Sequence, residues 1–163
     1  MISNGSWFSN SSGFGPILYR GDGGSFTREI DVGLDFDLPT SAHLAVDFDR
    51  DGDLDILALS PHVGVLWFEA TQTRGQIVEF SFDSSCRGGE QIGAALVAHA
   101  GDHVMTRHLR ASGGYSSLPP TAAIFGLGER EHIDRVVLQR AGDSPIAFEG
   151  PFRPGRHTVC LTD

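Results

Sequence analysis

Apolar and polar residues alternate along most of this chain, in runs too short for amphipathic helices. Ile77 to Phe82, Ile92 to Ala100, His103 to Arg110, Val136 to Arg140, Ile146 to Glu149 and His157 to Thr162 all follow the two-residue period of a strand. Gly101-Asp102, between two such runs, reads as a two-residue hairpin turn with Gly first. That turn places residue 99 opposite 104 and residue 100 opposite 103, so His99 and His103 are expected on opposite faces and share no metal. Upstream, Ile17-Leu18-Tyr19 meets the turn Gly21-Asp22-Gly23-Gly24, and Phe26 to Ile30 alternates again. A loop containing Pro39 leads to a short strand at His43 to Val46. Further strands are expected at 56 to 60 and 63 to 70, with a turn at Pro61-His62. Thr71 to Gln76 is a polar link. The pattern predicts an all-β protein in two parts, residues 1–70 and 77–163. The Gly-rich stretches Ser112-Gly113-Gly114-Tyr115 and Phe125-Gly126-Leu127-Gly128 read as structural, through left-handed turns or close backbone approach, rather than as phosphate-binding, since no helix start follows either.

One stretch breaks the alternation with charge. Asp47-Phe48-Asp49-Arg50-Asp51-Gly52-Asp53-Leu54-Asp55 places five carboxylates in nine residues, directly before the apolar run Ile56-Leu57-Ala58-Leu59. Unneutralised carboxylates this close repel one another, and a cation relieves the repulsion. Ca²⁺ takes six to eight oxygens, and a short loop of alternating Asp supplies them; Mg²⁺ prefers fewer protein ligands and more water. The expected set is Asp47, Asp49 and Asp51 through their side chains, Asp53 through its carbonyl, and Asp55 closing the site. Gly52 permits the sharp turn. The loop is not an EF-hand: its twelfth position is Ala58, and strands rather than helices flank it.

The segment from Ala45 to Ile56 resembles the calcium-binding segment of an FG-GAP (VCBS-type) propeller repeat, with Val46 standing where that family usually has Gly. The Gly-Asp-Gly turn and the Phe26-Thr27 pair fit the same family. The resemblance spans about residues 16–70 and implies one partial propeller-type blade. A second resemblance covers about residues 77–162. It rests on Ile92-Gly93-Ala94, Thr106 to Ser117, Phe125-Gly126-Leu127-Gly128 and Ile133-Asp134-Arg135-Val136. These are similar to the ASPIC/UnbV domain, which follows FG-GAP repeats in cartilage-acidic-protein-like and bacterial secreted proteins. The chain departs from the family at 88–91, 118–121 and 141–145. Together the resemblances imply a partial blade packed on a small β-sandwich, and they inform the fold more than the activity.

Composition narrows the function. The net charge of −9 disfavours nucleic acid. No apolar run reaches the length of a membrane span. All twelve basic residues are Arg, the usage expected of a high-GC bacterial gene, and a chain without Lys has no P-loop. There is no G-x-S-x-G elbow. Met1 to Gly5 shows no signal-peptide start, so the chain is expected to be cytoplasmic if complete and extracytoplasmic if it is a piece of a secreted protein. Cys86 and Cys160 are too few for a disulfide framework, and they pair only if the first and last strands of the second part are neighbours.

The expected function is a calcium-stabilised, non-catalytic binding or interaction module. Its partner, whether protein, small molecule or glycan, is left open. The incomplete blade offers a route to self-association. Arg107 and Tyr115 are candidate ligand-binding residues, by forked hydrogen bonds and stacking. A rival reading is a calcium-dependent cyclase or isomerase of small-molecule biosynthesis, its acid drawn from Asp102, Glu129, Glu131 or Asp134. Another is a ligand-sequestering protein with a cleft lined by Trp7, Trp67 and Phe68.

Overall fold

The computed structural model describes residues 17–21, 24–34, 39–71, 76–82, 91–111 and 122–161. These form twelve strands, and among the described residues there is no helix. Strands β1 (Tyr19–Gly21) to β5 belong to one unit; β6 (Ile77–Phe82) to β12, with residues 50–53, belong to a second. The fold is all-β, with several small sheets and, among the described residues, no closed barrel.

In the first unit, β1 pairs with β2 (Phe26–Arg28) as a short hairpin. Arg20 and Glu29 form an ion pair across it at 2.8 Å. β3 (Ala42–Val46), β4 (Asp55–Ser60) and β5 (Gly64–Phe68) make a three-stranded antiparallel meander. The Asp-rich loop is the β3–β4 connection. Leu57 lies opposite Trp67 and Leu59 opposite Val65, so these four side chains share one face of the sheet. Ala58 and Ser60, on the other face, are almost wholly buried.

The second unit has a four-stranded sheet and a three-stranded sheet. The first runs in the order β11 (Ile146–Phe152), β10 (Ile133–Gln139), β7 (Ala95–Ala100), β8 (His103–His108). The other runs β12 (Gly155–Val159), β6, β9 (Ala122–Gly126), with β12 parallel to β6. Inward residues from both sheets form one core. Val78 and Phe80 come from β6, Ala123 and Phe125 from β9, Leu96 and Ala98 from β7, and Val136 and Leu138 from β10. This is the expected sandwich arrangement. Phe80 sits at its centre, edge-on to Phe125 at 6.0 Å and to Phe152 at 5.0 Å.

One strand departs from simple alternation. The inward residues of β10 change parity, from Ile133 to Val136 and Leu138, because the register with β11 shifts between Ile133 and Arg135. An irregularity of this kind re-aims the strand without losing the core contact. Opposite it, a Cβ on Gly150 would lie 2.6 Å from the Ile133 carbonyl oxygen and 2.7 Å from the Phe152 nitrogen, so only glycine fits. β9, a strand not expected from the sequence, alternates simply: Phe125 and Leu127 of the Gly-rich stretch are core residues at 0% and 1% exposure. The alternation Ala123, Phe125, Leu127 wins over the flanking glycines, and only Gly128 takes the left-handed conformation. The Gly101-Asp102 hairpin has the expected register, His99 opposite Val104 and Ala100 opposite His103. Arg110 was expected on the same strand as Arg107, but β8 ends at His108.

The neighbouring positions of β6 and β12 satisfy the condition set for cysteine pairing. Cys160 directly follows β12 and is disulfide-bonded. The chain's one other cysteine, Cys86, lies outside the described residues.

Phe80→Ala is expected to destabilise the sandwich by about 3–5 kcal/mol, the usual cost of emptying a packed aromatic site. Urea unfolding of the variant beside wild type measures this. A loss below about 1 kcal/mol would show that Phe80 is not the centre of the core.

Candidate functional site

The β3–β4 loop folds back on itself because two of its residues take the left-handed conformation, Gly52 at φ 99° and Arg50 at φ 68°. The first is natural for glycine, and the second carries the strain of a side chain in that region. The Gly52 carbonyl accepts a hydrogen bond from the Ile77 N–H at 3.2 Å. The Asp53 N–H donates to the Asp51 carboxylate at 3.1 Å, a local turn closed by an Asp side chain.

This geometry gathers three of the five carboxylates. Asp47, Asp49 and Asp51 each offer an oxygen, and those oxygens lie within 4.8 Å of one another. Asp49 and Asp51 are exposed, while Asp47 is only 9% exposed. One Asp47 oxygen is buried and accepts no hydrogen bond. A buried carboxylate oxygen without a partner is costly, and a cation is the usual remedy. The donor set, all oxygen and anionic, matches a hard divalent ion.

Asp53 is 7% exposed and outside that group of three. Asp55, at 1% exposure, is also outside it. Its carboxylate instead accepts the Phe48 N–H at 3.2 Å and the Ala70 N–H at 3.0 Å. Asp55 therefore ties the start of the loop to the segment after β5. The Phe48 ring makes a second link, tilted at 56° against Trp67 with ring centres 5.2 Å apart.

The other candidates fall elsewhere. Arg107 donates from Nε to the Ile124 carbonyl at 2.9 Å and from Nη1 to the Thr106 carbonyl at 3.0 Å. Its guanidinium also lies 5.5 Å from the Phe125 ring centre. Arg107 thus joins the edges β8 and β9 of the two sheets. Tyr115 lies outside the described residues, as does Trp7. Trp67 is 46% exposed on the outer face of the meander.

The structure brings together three of the four acid candidates. Asp102, Glu131 and Asp134 line an open groove of about 420 Å³ beside the β7–β8 turn, with Arg130 and His132. Asp134 is fully engaged there. One oxygen accepts the Gly101 N–H at 2.7 Å and the other meets His132 Nε2 at 2.9 Å. The Gly101 hydrogen bond holds the Asp134 carboxyl below its ordinary value against an opposing effect of desolvation, with smaller help from the bond and charge of His132. Alternation alone did not reveal this cluster, because it depends on the hairpin turn meeting the start of β10. The His132-x-Asp134 spacing, two residues on one face, was the signal available.

A carboxyl with a depressed folded-state value stabilises the fold above its unfolded value and stops doing so as pH falls through the folded one. The Asp134–Gly101 link is therefore complete above about pH 4 and lost at lower pH. Carboxyl NMR should show Asp134 titrating below the ordinary aspartate range, with the Gly101 amide shift following the same curve. His132→Ala should move the midpoint only part of the way back, because the larger cause remains. A midpoint at or above the ordinary value would contradict the geometry.

Comparison with the curated proteins gives no match. Residues 87–139, which contain β7, β8, β9 and β10, match the family described as ASPIC and UnbV.

Proposed function

We propose that this protein is a non-catalytic binding module whose β3–β4 loop is held by a structural Ca²⁺. The observation that carries this reading is the approach of Asp47, Asp49 and Asp51 within 4.8 Å, with one Asp47 oxygen buried and unbonded. Three anionic groups at that separation raise the energy of the metal-free fold, and a divalent cation removes both the repulsion and the unmet acceptor. Asp47, Asp49 and Asp51 hold the ion by their side chains, Asp53 contributes its backbone carbonyl, and Asp55 closes the set through lone pairs its two backbone bonds leave over. Ca²⁺ suits this set better than Mg²⁺, because the loop offers more protein oxygens than a largely hydrated ion uses. The resemblance of residues 45–56 to an FG-GAP repeat supports the same assignment. When bound, the ion supplies charge neutralisation and a fixed turn.

A binding role, rather than catalysis, is supported by the groove beside the β7–β8 turn. Its carboxylates face water: Asp102 is fully exposed and the Asp134 side chain half exposed. A general acid needs the opposite setting, desolvated and poised for transfer.

Thermal unfolding in EDTA and across a calcium titration tests the assignment. At about 100 times its dissociation constant the ion adds about 2.7 kcal/mol. For a chain of this size that corresponds to roughly 5–10 °C in Tm. Asp49→Ala is expected to abolish the calcium response with little change in EDTA. Asp47→Asn is expected to abolish it and to raise Tm in EDTA, because it removes a buried unmet charge. Asp55→Ala is expected to lower Tm in EDTA as well, since two backbone N–H groups lose their acceptor. An undiminished calcium shift in Asp49→Ala and Asp47→Asn would overturn the site.

A further inference from the structure

We propose that Cys160 is bridged to Cys86, and that this bond is a redox-controlled fastening of β12 made in an oxidising compartment. Cys160 is disulfide-bonded and exposed, and Cys86 is the chain's one other cysteine. The strands that the two cysteines follow are neighbours. Cys160 comes directly after β12 and Cys86 four positions after β6. The last register pair of the two strands is Val159 with Phe82. Because β12 runs parallel to β6, both strands end on the same side of the sheet, and each is followed by its cysteine. Paired strands lie about 4.8 Å apart, inside the range of about 4.4–6.8 Å between the Cα atoms of a bridge.

β12 has reason to be fastened. A parallel ladder is slightly weaker per residue than an antiparallel one. The polar and ring contacts of this strand come from Arg156, His157 and Thr158. Arg156 Nε donates to Glu79 at 3.2 Å, and the Thr158 and Ser81 hydroxyls meet at 3.4 Å. The His157 ring lies 5.6 Å from Phe80 and 5.3 Å from Phe152, and its Nε2 donates to the Arg153 carbonyl at 2.7 Å. Beyond them, Val159 belongs to the core and Leu161 packs against it. Cys160 lies between these two, so its bond pins both to the sandwich.

The exposure of Cys160 keeps the bond open to exchange. In its formation, the thiolate of one cysteine attacks the S–S bond of a disulfide oxidant. One oxidant sulfur leaves as a thiolate, and a mixed disulfide forms. The thiolate of the second cysteine then attacks the chain's own sulfur in that mixed disulfide and releases the other oxidant sulfur. The chain's thiols have lost two protons and two electrons, and the oxidant's S–S bond has become two thiols. In a reducing cytosol, glutathione and thioredoxin drive the same exchange backwards. The fastened chain therefore belongs to an oxidising compartment, the periplasm or the outside of a cell.

The full chain, refolded with glutathione disulfide, provides the test. Thiol titration in denaturant is expected to find no free thiol before reduction and two after it. Mass spectrometry of an unreduced digest should show the Cys86 peptide joined to the Cys160 peptide, from a chain that is monomeric in mass. A phosphine reductant, at fixed calcium, should lower Tm by roughly 5–15 °C. Hydrogen exchange should then accelerate at 155–159 and 77–82, and much less at 95–100. Return of glutathione disulfide should reverse both changes. Cys160→Ser should show the lowered Tm without reductant and no further response to it. Should that variant fail to fold, reduction of wild type supplies the same comparison. Two free thiols in the refolded chain would overturn the proposal. So would a bond between chains rather than within one, or a Tm and exchange pattern indifferent to reduction.

Discussion

A sheet with an apolar face must cover it, and that constraint shapes both units. In the second unit the four-stranded and three-stranded sheets cover each other. Phe80, Phe125, Leu96 and Leu138 then lie in one core, each nearly inaccessible to water. The irregularity between Ile133 and Arg135 serves the same end, since it restores the inward aim of β10 after Ile133. The meander of the first unit has three strands. On the face that carries Leu57 and Trp67, Leu59, Val65 and Trp67 retain 39%, 70% and 46% of their exposure. Burial of apolar area is the main favourable contribution to folding, and this face of the meander keeps part of its area in water.

The loop between β3 and β4 obeys a different constraint. Its backbone is shaped by Gly52 and Arg50, and its charges are concentrated far beyond what a solvated turn requires. The five aspartates nevertheless divide into distinct environments. Asp55 is buried with one backbone N–H on each oxygen, Asp47 is buried with one oxygen unmet, Asp53 is also buried, and Asp49 and Asp51 are exposed. Equal spacing in the sequence thus conceals unequal roles. The bends of the loop, with Arg50 left-handed between Asp49 and Asp51, bring oxygens of Asp47, Asp49 and Asp51 within 4.8 Å of one another. The turn at Gly52 then carries the chain away before Asp55 is reached.

That contrast explains how much could be read beforehand. Period-two alternation identified most strands, and it placed Ile77–Phe82 and the His103 hairpin at their observed positions, because each strand has one dry face. It was not read at 122–127, where the glycines of Phe125-Gly126-Leu127-Gly128 stood out instead, although Ala123, Phe125 and Leu127 alternate into the core. The register shift near Ile133 left no mark in the sequence, since the close approach of Gly150 is a tertiary fact. The Asp loop was conspicuous, but the separate task of Asp55 was not, because its partners are backbone N–H groups of Phe48 and Ala70. The groove of Asp102, Glu131 and Asp134 was likewise visible only as separate acids until the hairpin turn met β10.

Asp55 also joins features that otherwise stand apart. Its carboxylate holds Phe48, at the entrance to the loop, and Ala70, beyond the end of β5. The Phe48 ring repeats the connection by resting on Trp67. Two contacts of different chemistry, one charge-assisted and one aromatic, therefore span the same pair of segments. Ordering a loop residue costs about 1–2 kcal/mol in backbone entropy, so a cation that fixes 47–51 removes part of the cost of fixing Phe48. Phe48 then holds Trp67 in one orientation. The acidic loop and the segment that follows β5 are thus tied through Asp55 and Phe48, so whatever orders one of them lowers the cost of ordering the other.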